Sequence, residues 1–231
     1  MKEVITLRGG LGTTVLTLFH AYSLNIAAGL NPPVDEIQIN VHQAPLGSRE
    51  DWLSKLFEMT IPCAVVPVEQ IFKDHNPSPE GFALSLQYRQ IVLDKYLKLR
   101  YNDTNKIVDK VLHVRGTDNQ FISEDRYCEL ADEYKPTLIG DDHNLISKIS
   151  KRTGCTILRQ NAVDDWHTTI YAKHIIGGLS TFILSGSLIN PDRKVSILGR
   201  NEYDGPKAVT DLSYNLFDDC VKMLPNGGWI V

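Results

Sequence analysis

Between residues 110 and 198, short β-type runs alternate with segments that carry apolar residues at helical spacing, and the links between them are short. The runs Lys110–Val114, Thr137–Gly140, Cys155–Leu158, Ile175–Gly178 and Val195–Leu198 read as strands. The stretches Ser123–Tyr134, His143–Arg152, Asp165–His174 and Ser180–Ile189 read as helices. A strand followed by a helix and then another strand returns parallel to the first, so repeated alternation predicts a doubly wound sheet with helices on both faces.

The first hundred residues follow the same grammar less regularly. A strand over Val4–Leu7 runs into Arg8-Gly9-Gly10-Leu11-Gly12 and then a helix over Thr13–Ala28. Strands are expected at Glu36–Val41 and Cys63–Val68. Between them Ser48 and Asp51 form a capping-box start for a helix through Trp52, Leu53, Leu56 and Phe57. After a turn-rich loop at 73–81, a helix is predicted over Phe82–Tyr101, and Asn102–Asn105 breaks the pattern. The expected organisation is an α/β half over residues 1–108, a second over 109–205, and a helix and tail over 206–231 that packs back on the first half.

The chain has 231 residues and a formal net charge of -4, so no overall basic field draws it to a nucleic-acid backbone. Two local clusters, Lys95, Lys98 and Arg100, and Lys148, Lys151 and Arg152, are where a duplex would have to sit. No run approaches the roughly 18 apolar residues of a membrane span. Glu3 close behind Lys2, and the early glycines, do not have the layout of a secretory signal, so a cytoplasmic protein is expected. Cys63, Cys128, Cys155 and Cys220 stand singly with no CxxC pair, which argues against a zinc site or a disulfide framework.

In open α/β sheets the ligand lies beyond the carboxyl ends of the strands, so the residues just past each strand are the candidates. Arg8, Gly9, Gly10 and Gly12 follow the first strand and open a helix, where backbone N–H groups favour an anion. The loop is not a Walker sequence, and it is not a complete GxGxxG. Arg115, in His113-Val114-Arg115-Gly116-Thr117-Asp118, stands at a strand-to-loop transition from which a guanidinium reaches a diphosphate. Asp141 and Asp142 cannot both face one ion on an extended backbone. One is expected to receive a ribose or base hydrogen bond, the other to cap the next helix. His167 and His174, seven apart, have no third ligand in view and read as packing or surface residues.

These residues resemble a known family. His113 to Asp118 is similar to the HxRRxD-type peptide of the α-1,2-, α-1,6- and protein O-fucosyltransferases, and Arg8 to Gly12 resembles the GGLGNQ opening of the α-1,2 enzymes. Ile139-Gly140-Asp141-Asp142 is similar to their strand ending in SDD. Lys173 to Phe182 resembles their KHxIIxxSSFS element, with Asn190 where their following helix ends. Residues 30–108 and the C-terminal tail have no counterpart. Gly116 stands where the family has a second arginine, Thr13-Thr14 where it has Asn-Gln, and Leu184-Ser185-Gly186-Ser187 where it has paired tryptophans.

The resemblance implies a GT-B-like fold of two Rossmann-type parallel-sheet halves with a reduced N-terminal half. The donor would lie in the C-terminal half, the acceptor mainly in the N-terminal half, and no cofactor or metal would be needed. It implies that Arg115 contacts the donor diphosphate, with His113 in the same peptide and Asp118 supporting that loop. Asp141 or Asp142 and Asp165 would lie near the nucleoside, and Ser180 and Thr181 would hydrogen-bond phosphate. The activity implied is inverting transfer from a nucleoside-diphosphate sugar, GDP-sugar being the family default, to a hydroxyl of a glycan or small sugar. Two other readings stand beside it. One is a virus-type enzyme glycosylating a hydroxylated base in DNA, and the other is a nucleotide- or sugar-binding module without turnover.

Overall fold

The computed structural model describes residues 4–7, 10–30, 36–40, 49–59, 63–66, 78–100, 108–115, 121–178, 180–198, 203–204 and 213–230. The chain forms two compact units, Met1–Asp103 and Thr104–Val231.

The first unit contains β1 (Val4–Leu7), α1 (Leu11–Ala27), β2 (Glu36–Asn40), α2 (Arg49–Leu56), β3 (Phe57–Met59), β4 (Cys63–Val66), α3 (Pro79–Lys95) and β5 (Leu97–Leu99). A parallel sheet runs in the order β1-β2-β4. Helix α3 begins three residues earlier than its apolar spacing predicts. Ser78 accepts the Gly81 N–H at 3.0 Å, and Pro79 occupies the first turn, where its missing N–H costs nothing.

The same helix ends at Lys95, and the predicted continuation toward Tyr101 becomes β5. Leu97-Lys98-Leu99 alternates apolar and polar residues, so it pairs antiparallel with Phe57-Glu58-Met59 and buries Leu97 and Phe57. Phe57, expected in the helix, is thereby drawn into β3. The capping Ser48 lies outside the described residues.

The second unit contains β6 (Lys110–Val114), β7 (Phe121–Ile122), α4 (Glu124–Tyr134), β8 (Thr137–Gly140), α5 (His143–Thr153), α6 (Ala162–Tyr171), β9 (His174–Gly177), α7 (Thr181–Ile189), β10 (Lys194–Leu198), β11 (Tyr203–Asp204), α8 (Ser213–Lys222) and β12 (Gly227–Ile230). Five parallel strands form one sheet in the order β12-β10-β9-β6-β8. The central strands are apolar on both faces, as parallel strands covered by helices must be: Val111, Leu112, Ile175, Ile176, Val195 and Ile197 are buried.

One expectation is corrected. Cys155–Leu158 is not a strand; it meets the sheet at a single bridge, Leu138 to Ile157, made by Leu138 N–H to the Thr156 carbonyl at 2.8 Å and Leu158 N–H to the Leu138 carbonyl at 3.0 Å, and Leu158 packs against Val111, Ile139 and Ala172. The tail over 206–231 supplies β12, which hydrogen-bonds along β10 inside the second unit. The short antiparallel pair of β7 and β11 has no counterpart in the sequence reading. Two-residue strands carry too little periodicity to be seen.

Helices α4, α5, α6 and α7 start on side-chain caps. Ser123 accepts from Arg126 N, Asp142 from Asn144 N and Leu145 N, Asn161 from Val163 N and Asp164 N, and Ser180 from Phe182 N. These caps fix where each helix begins, and hence where the loops at the carboxyl edge of the sheet lie.

Candidate diphosphate site at the sheet switch point

From β6 the chain moves outward to β8, then crosses back to β9 on the other side and continues to β10 and β12. The strand order therefore reverses between β6 and β9, and in open sheets of this kind a ligand is held at the carboxyl ends of the strands at such a point. The residues just past β6 and β9 are Arg115 and, after Gly177, Ser180.

The two meet. Arg115 Nη1 donates to Ser180 Oγ at 3.1 Å, and the same oxygen accepts the Phe182 N–H at 3.1 Å as the cap of α7. A serine hydroxyl has two lone pairs and one proton. Both lone pairs of Ser180 are spent on donors, so its own O–H is the group left to offer. No acidic side chain lies in the first turn of α7. A guanidinium, a hydroxyl proton and the positive end of a nine-residue helix thus converge, an arrangement complementary to a phosphate.

The surrounding residues hold this geometry. Tyr127, fully buried on α4, places its hydroxyl on the Arg115 main chain, accepting the N–H at 3.1 Å and reaching the carbonyl at 3.4 Å. Burial pushes this phenol up to about 12, so it stays a neutral donor and acceptor. His113 is buried and stacked face to face with Phe182, ring centroids 4.8 Å apart at 14°. Its pKa falls to about 4, chiefly through burial and further through the Arg115 charge, with Asp141 opposing. It is a neutral packing group under the first turn of α7. On the other flank Trp166 Nε1 donates to Ser185 Oγ at 2.8 Å, which donates to the Phe182 carbonyl at 2.9 Å, tying α6 to the start of α7.

The carboxylates separate by role. Asp142 is the α5 cap, accepting from Asn144 N at 3.1 Å and Leu145 N at 2.9 Å. Asp141 is exposed, and its charge is felt at His113, Tyr127 and Asp165. Asp165 is only 6% exposed and accepts from the Gln160 amide at 3.2 Å. Thr181, half-buried, opens α7. In the first unit Gly10 is the N-cap of α1, in extended backbone and without a side-chain cap bond, and Gly12 is buried within the first turn. Arg8, Gly9 and Asp118 lie outside the described residues.

Tyr127, Gln160 and Phe182 belong to the setting of this site and were not singled out from sequence. Tyr127 sits at a core-like position of amphipathic α4 and Phe182 in the almost wholly apolar α7, and nothing in their spacing distinguishes an aromatic beside Arg115 or its partner from one that fills space. His167 and His174 go separate ways: His174 Nε2 lies 2.9 Å from Ser196 Oγ across the sheet, while His167 is buried edge-on to Trp166. Among the described residues no group of three or more His, Cys, Asp or Glu side chains comes together as metal ligands would.

The buried histidines give a pH signature. Burial lowers His113, His167 and His174 each to about 4, below the ordinary 6.5. Between those values the unfolded chain binds protons that the folded chain refuses, so stability is lost as pH falls from about 6.5 to 4. Asp165, raised by burial to about 7, acts in the opposite sense: the folded chain keeps a proton that the unfolded chain releases, which adds stability as pH falls from about 7 to 3.8. Three histidines against one carboxyl give a net loss. The urea midpoint at pH 5 is expected to lie clearly below that at pH 7, and an equal or higher midpoint would show that these imidazoles are not held neutral.

No family model matches the chain, and no curated protein matches it by sequence. Among solved structures, a family 9 glycosyl transferase from Veillonella parvula DSM 2008 is similar with a TM-score of 0.50 at 10% identity, over 85% of this chain and 80% of that one. The E. coli heptosyltransferase WaaC with ADP gives a TM-score of 0.47 at 10% identity, over 86% and 87% of the two chains. WaaC with ADP-2-deoxy-2-fluoro heptose gives 0.46 at 11% identity, over 92% and 91%. The fold is mixed α/β with a parallel five-stranded sheet, similar to the GT-B glycosyltransferases.

Proposed function

We propose that the protein is a glycosyltransferase that moves a sugar from a nucleoside-diphosphate sugar to an acceptor hydroxyl. The observation that carries this reading is the bond between Arg115 and the Ser180 cap of α7 at the switch point of the sheet. That bond joins a fixed cation to a helix N-terminus where a diphosphate would lie. The similarity of the fold to a family 9 glycosyl transferase supports it.

The chemistry follows from the charges. An acceptor hydroxyl displaces the nucleoside diphosphate at the anomeric carbon from the opposite face, which inverts the centre. The developing charge on the leaving diphosphate is met by Arg115, the Ser180 hydroxyl and the first N–H groups of α7, already oriented before the reaction begins. Because these donors neutralise the leaving group themselves, transfer proceeds without a metal or other cofactor. Asp141, exposed just past β8, is the carboxylate suited to ribose or base. GDP and fucose are the donor base and sugar that the motif resemblance favours, and a glycan or small sugar is the acceptor.

One surface observation bears on the acceptor. Two of the three members of the basic cluster at the end of α5 are matched by acids on α4: Arg152 bridges Glu124 at 3.0 Å and Asp125 at 2.8 Å, and Lys148 lies 3.6 Å from Glu124. Charges balanced in this way do not make a phosphate-backbone stripe, which favours a sugar over a DNA acceptor.

The test is incubation with GDP-, UDP- and ADP-sugars and a panel of mono- and oligosaccharide acceptors, with mass-spectrometric detection of product and released nucleoside diphosphate. Transfer from one donor in the presence of EDTA is expected. Binding of a donor with no release under any acceptor would identify a non-catalytic binding module.

A further inference from the structure

Register lines up three residues across the carboxyl edge of the second sheet. Val114 pairs with Gly140, so Arg115 and Asp141 are the next residues out on neighbouring strands. Leu138 bridges Ile157 in parallel, so Asp141 and Gln160 each stand three residues past that pair. Arg115, Asp141 and Gln160 thus form a row that steps outward by about 5 Å, one strand spacing, at a time.

Gln160 is half-buried, and its amide has one orientation. Nε2 lies 2.7 Å from Thr168 Oγ1 and 3.2 Å from Asp165 Oδ1. The one proton of the Thr168 hydroxyl goes to the Asp164 carbonyl at 2.9 Å, so toward Gln160 that oxygen only accepts. The nitrogen end of the amide therefore faces inward, with both N–H groups used. What remains is the carbonyl oxygen Oε1, which accepts from no described residue. Helix α6, which carries Asp165 and Thr168, is itself tied to the first turn of α7 through Trp166 and Ser185.

Sequence resemblance assigns Asp165 to the nucleoside, but that carboxylate is 6% exposed and holds the Gln160 amide. We propose that Gln160 is the residue that reads the base. With the diphosphate of a donor on Arg115 and Ser180 and its ribose at Asp141, Gln160 Oε1 accepts a hydrogen bond from the donor edge of the nucleobase, an exocyclic amino group or a ring N–H. Asp165 and Thr168 are positioning residues that keep this oxygen free. The inference rests on the reading of Arg115 and Ser180 as a diphosphate site.

The order along the row matches the covalent order of the ligand: ribose joins diphosphate to base, as Asp141 stands between Arg115 and Gln160. The charge setting matches too. Asp141 and, in the first turn of α6, Asp164 and Asp165 make this end of the row acidic, which suits a ligand edge of N–H donors.

The experiment measures binding of pyrophosphate, GDP, UDP, ADP and CDP to the wild type and to Gln160→Met by titration calorimetry. Pyrophosphate reports on Arg115 and Ser180 alone, so the ratio of nucleoside-diphosphate to pyrophosphate affinity isolates what ribose and base add. For the best-bound nucleotide this ratio is expected to fall about tenfold in Gln160→Met, the upper scale of one neutral hydrogen bond, with pyrophosphate affinity unchanged. The preference among the four bases should narrow with it. A merely structural role would lower pyrophosphate and nucleotide binding together and leave both the ratio and the preference as they were.

An unchanged ratio in Gln160→Met, with pyrophosphate bound by the wild type, overturns the base-reading role and leaves the diphosphate site standing. Absence of binding by pyrophosphate and every nucleotide overturns the site itself, and the inference with it. If Gln160→Met does not fold, Thr168→Val serves: it removes an acceptor that fixes the amide, so the ratio should again fall, and an unmoved ratio would contradict the proposal.

Discussion

Arg115→Ala is expected to lower sugar transfer by at least about a hundredfold, the scale seen when a single charge-stabilising donor is removed from an active site. The fold should survive the change. The Arg115 backbone is held by Tyr127, and β6 and β9 are hydrogen-bonded to each other from Lys110 to His113 without the guanidinium. The loss should fall on turnover more than on nucleoside contacts, because in the proposed reaction Arg115 meets the group whose charge grows as the anomeric bond breaks. Steady-state kinetics beside a thermal melt check this: a variant with an unchanged melt and unchanged turnover would remove Arg115 from the chemistry.

The largest effect on stability belongs to Gly140→Ala. The φ of +140 is closed to alanine at a cost of about 1–3 kcal/mol, and the added Cβ overlaps a backbone carbonyl rather than a side chain able to move aside. Relief would require parting β8 from β6, whose ladder pairs Val114 with Gly140. A destabilisation of about 3 kcal/mol or more is expected from the two terms together. Urea unfolding measures it, and a variant within about 1 kcal/mol of wild type would mean that the turn is not so constrained.

Sequence reasoning reached different depths in the two units. In the second, β6 and β8 run over the very residues whose apolar runs predict them, and the helices α4 and α7 begin one residue after the serines read as their starts. Strand and helix periods there are separated by capping residues, so local and global preferences agree. In the first unit, Leu97–Leu99 continues the apolar content of α3, and the partner that claims it as a strand lies some forty residues away in sequence at Phe57–Met59. Periodicity contains no record of such a partner.

The candidate site was legible only as a position in the topology. Residues just past strands were the candidates, and Arg115, Ser180 and Asp141 are brought to the carboxyl edge of one sheet. Which carboxylate does what was hidden, because it depends on burial. Asp142 caps and Asp165 faces inward, and only the packing of α6 on β8 reveals the second. Tyr127 and Phe182 were hidden for a similar reason, since their aromatic rings serve the core and the site at once.

The most direct test of the central claim is a thermal-shift series of the protein against GDP, UDP, ADP and CMP and their sugars, with and without magnesium, repeated on Arg115→Ala. A ligand that binds only the folded state raises its apparent stability by mass action. The predicted result is a shift from one nucleoside-diphosphate family, independent of magnesium and lost or strongly reduced in Arg115→Ala. No shift from any of these ligands, or one that survives removal of Arg115 undiminished, would contradict it.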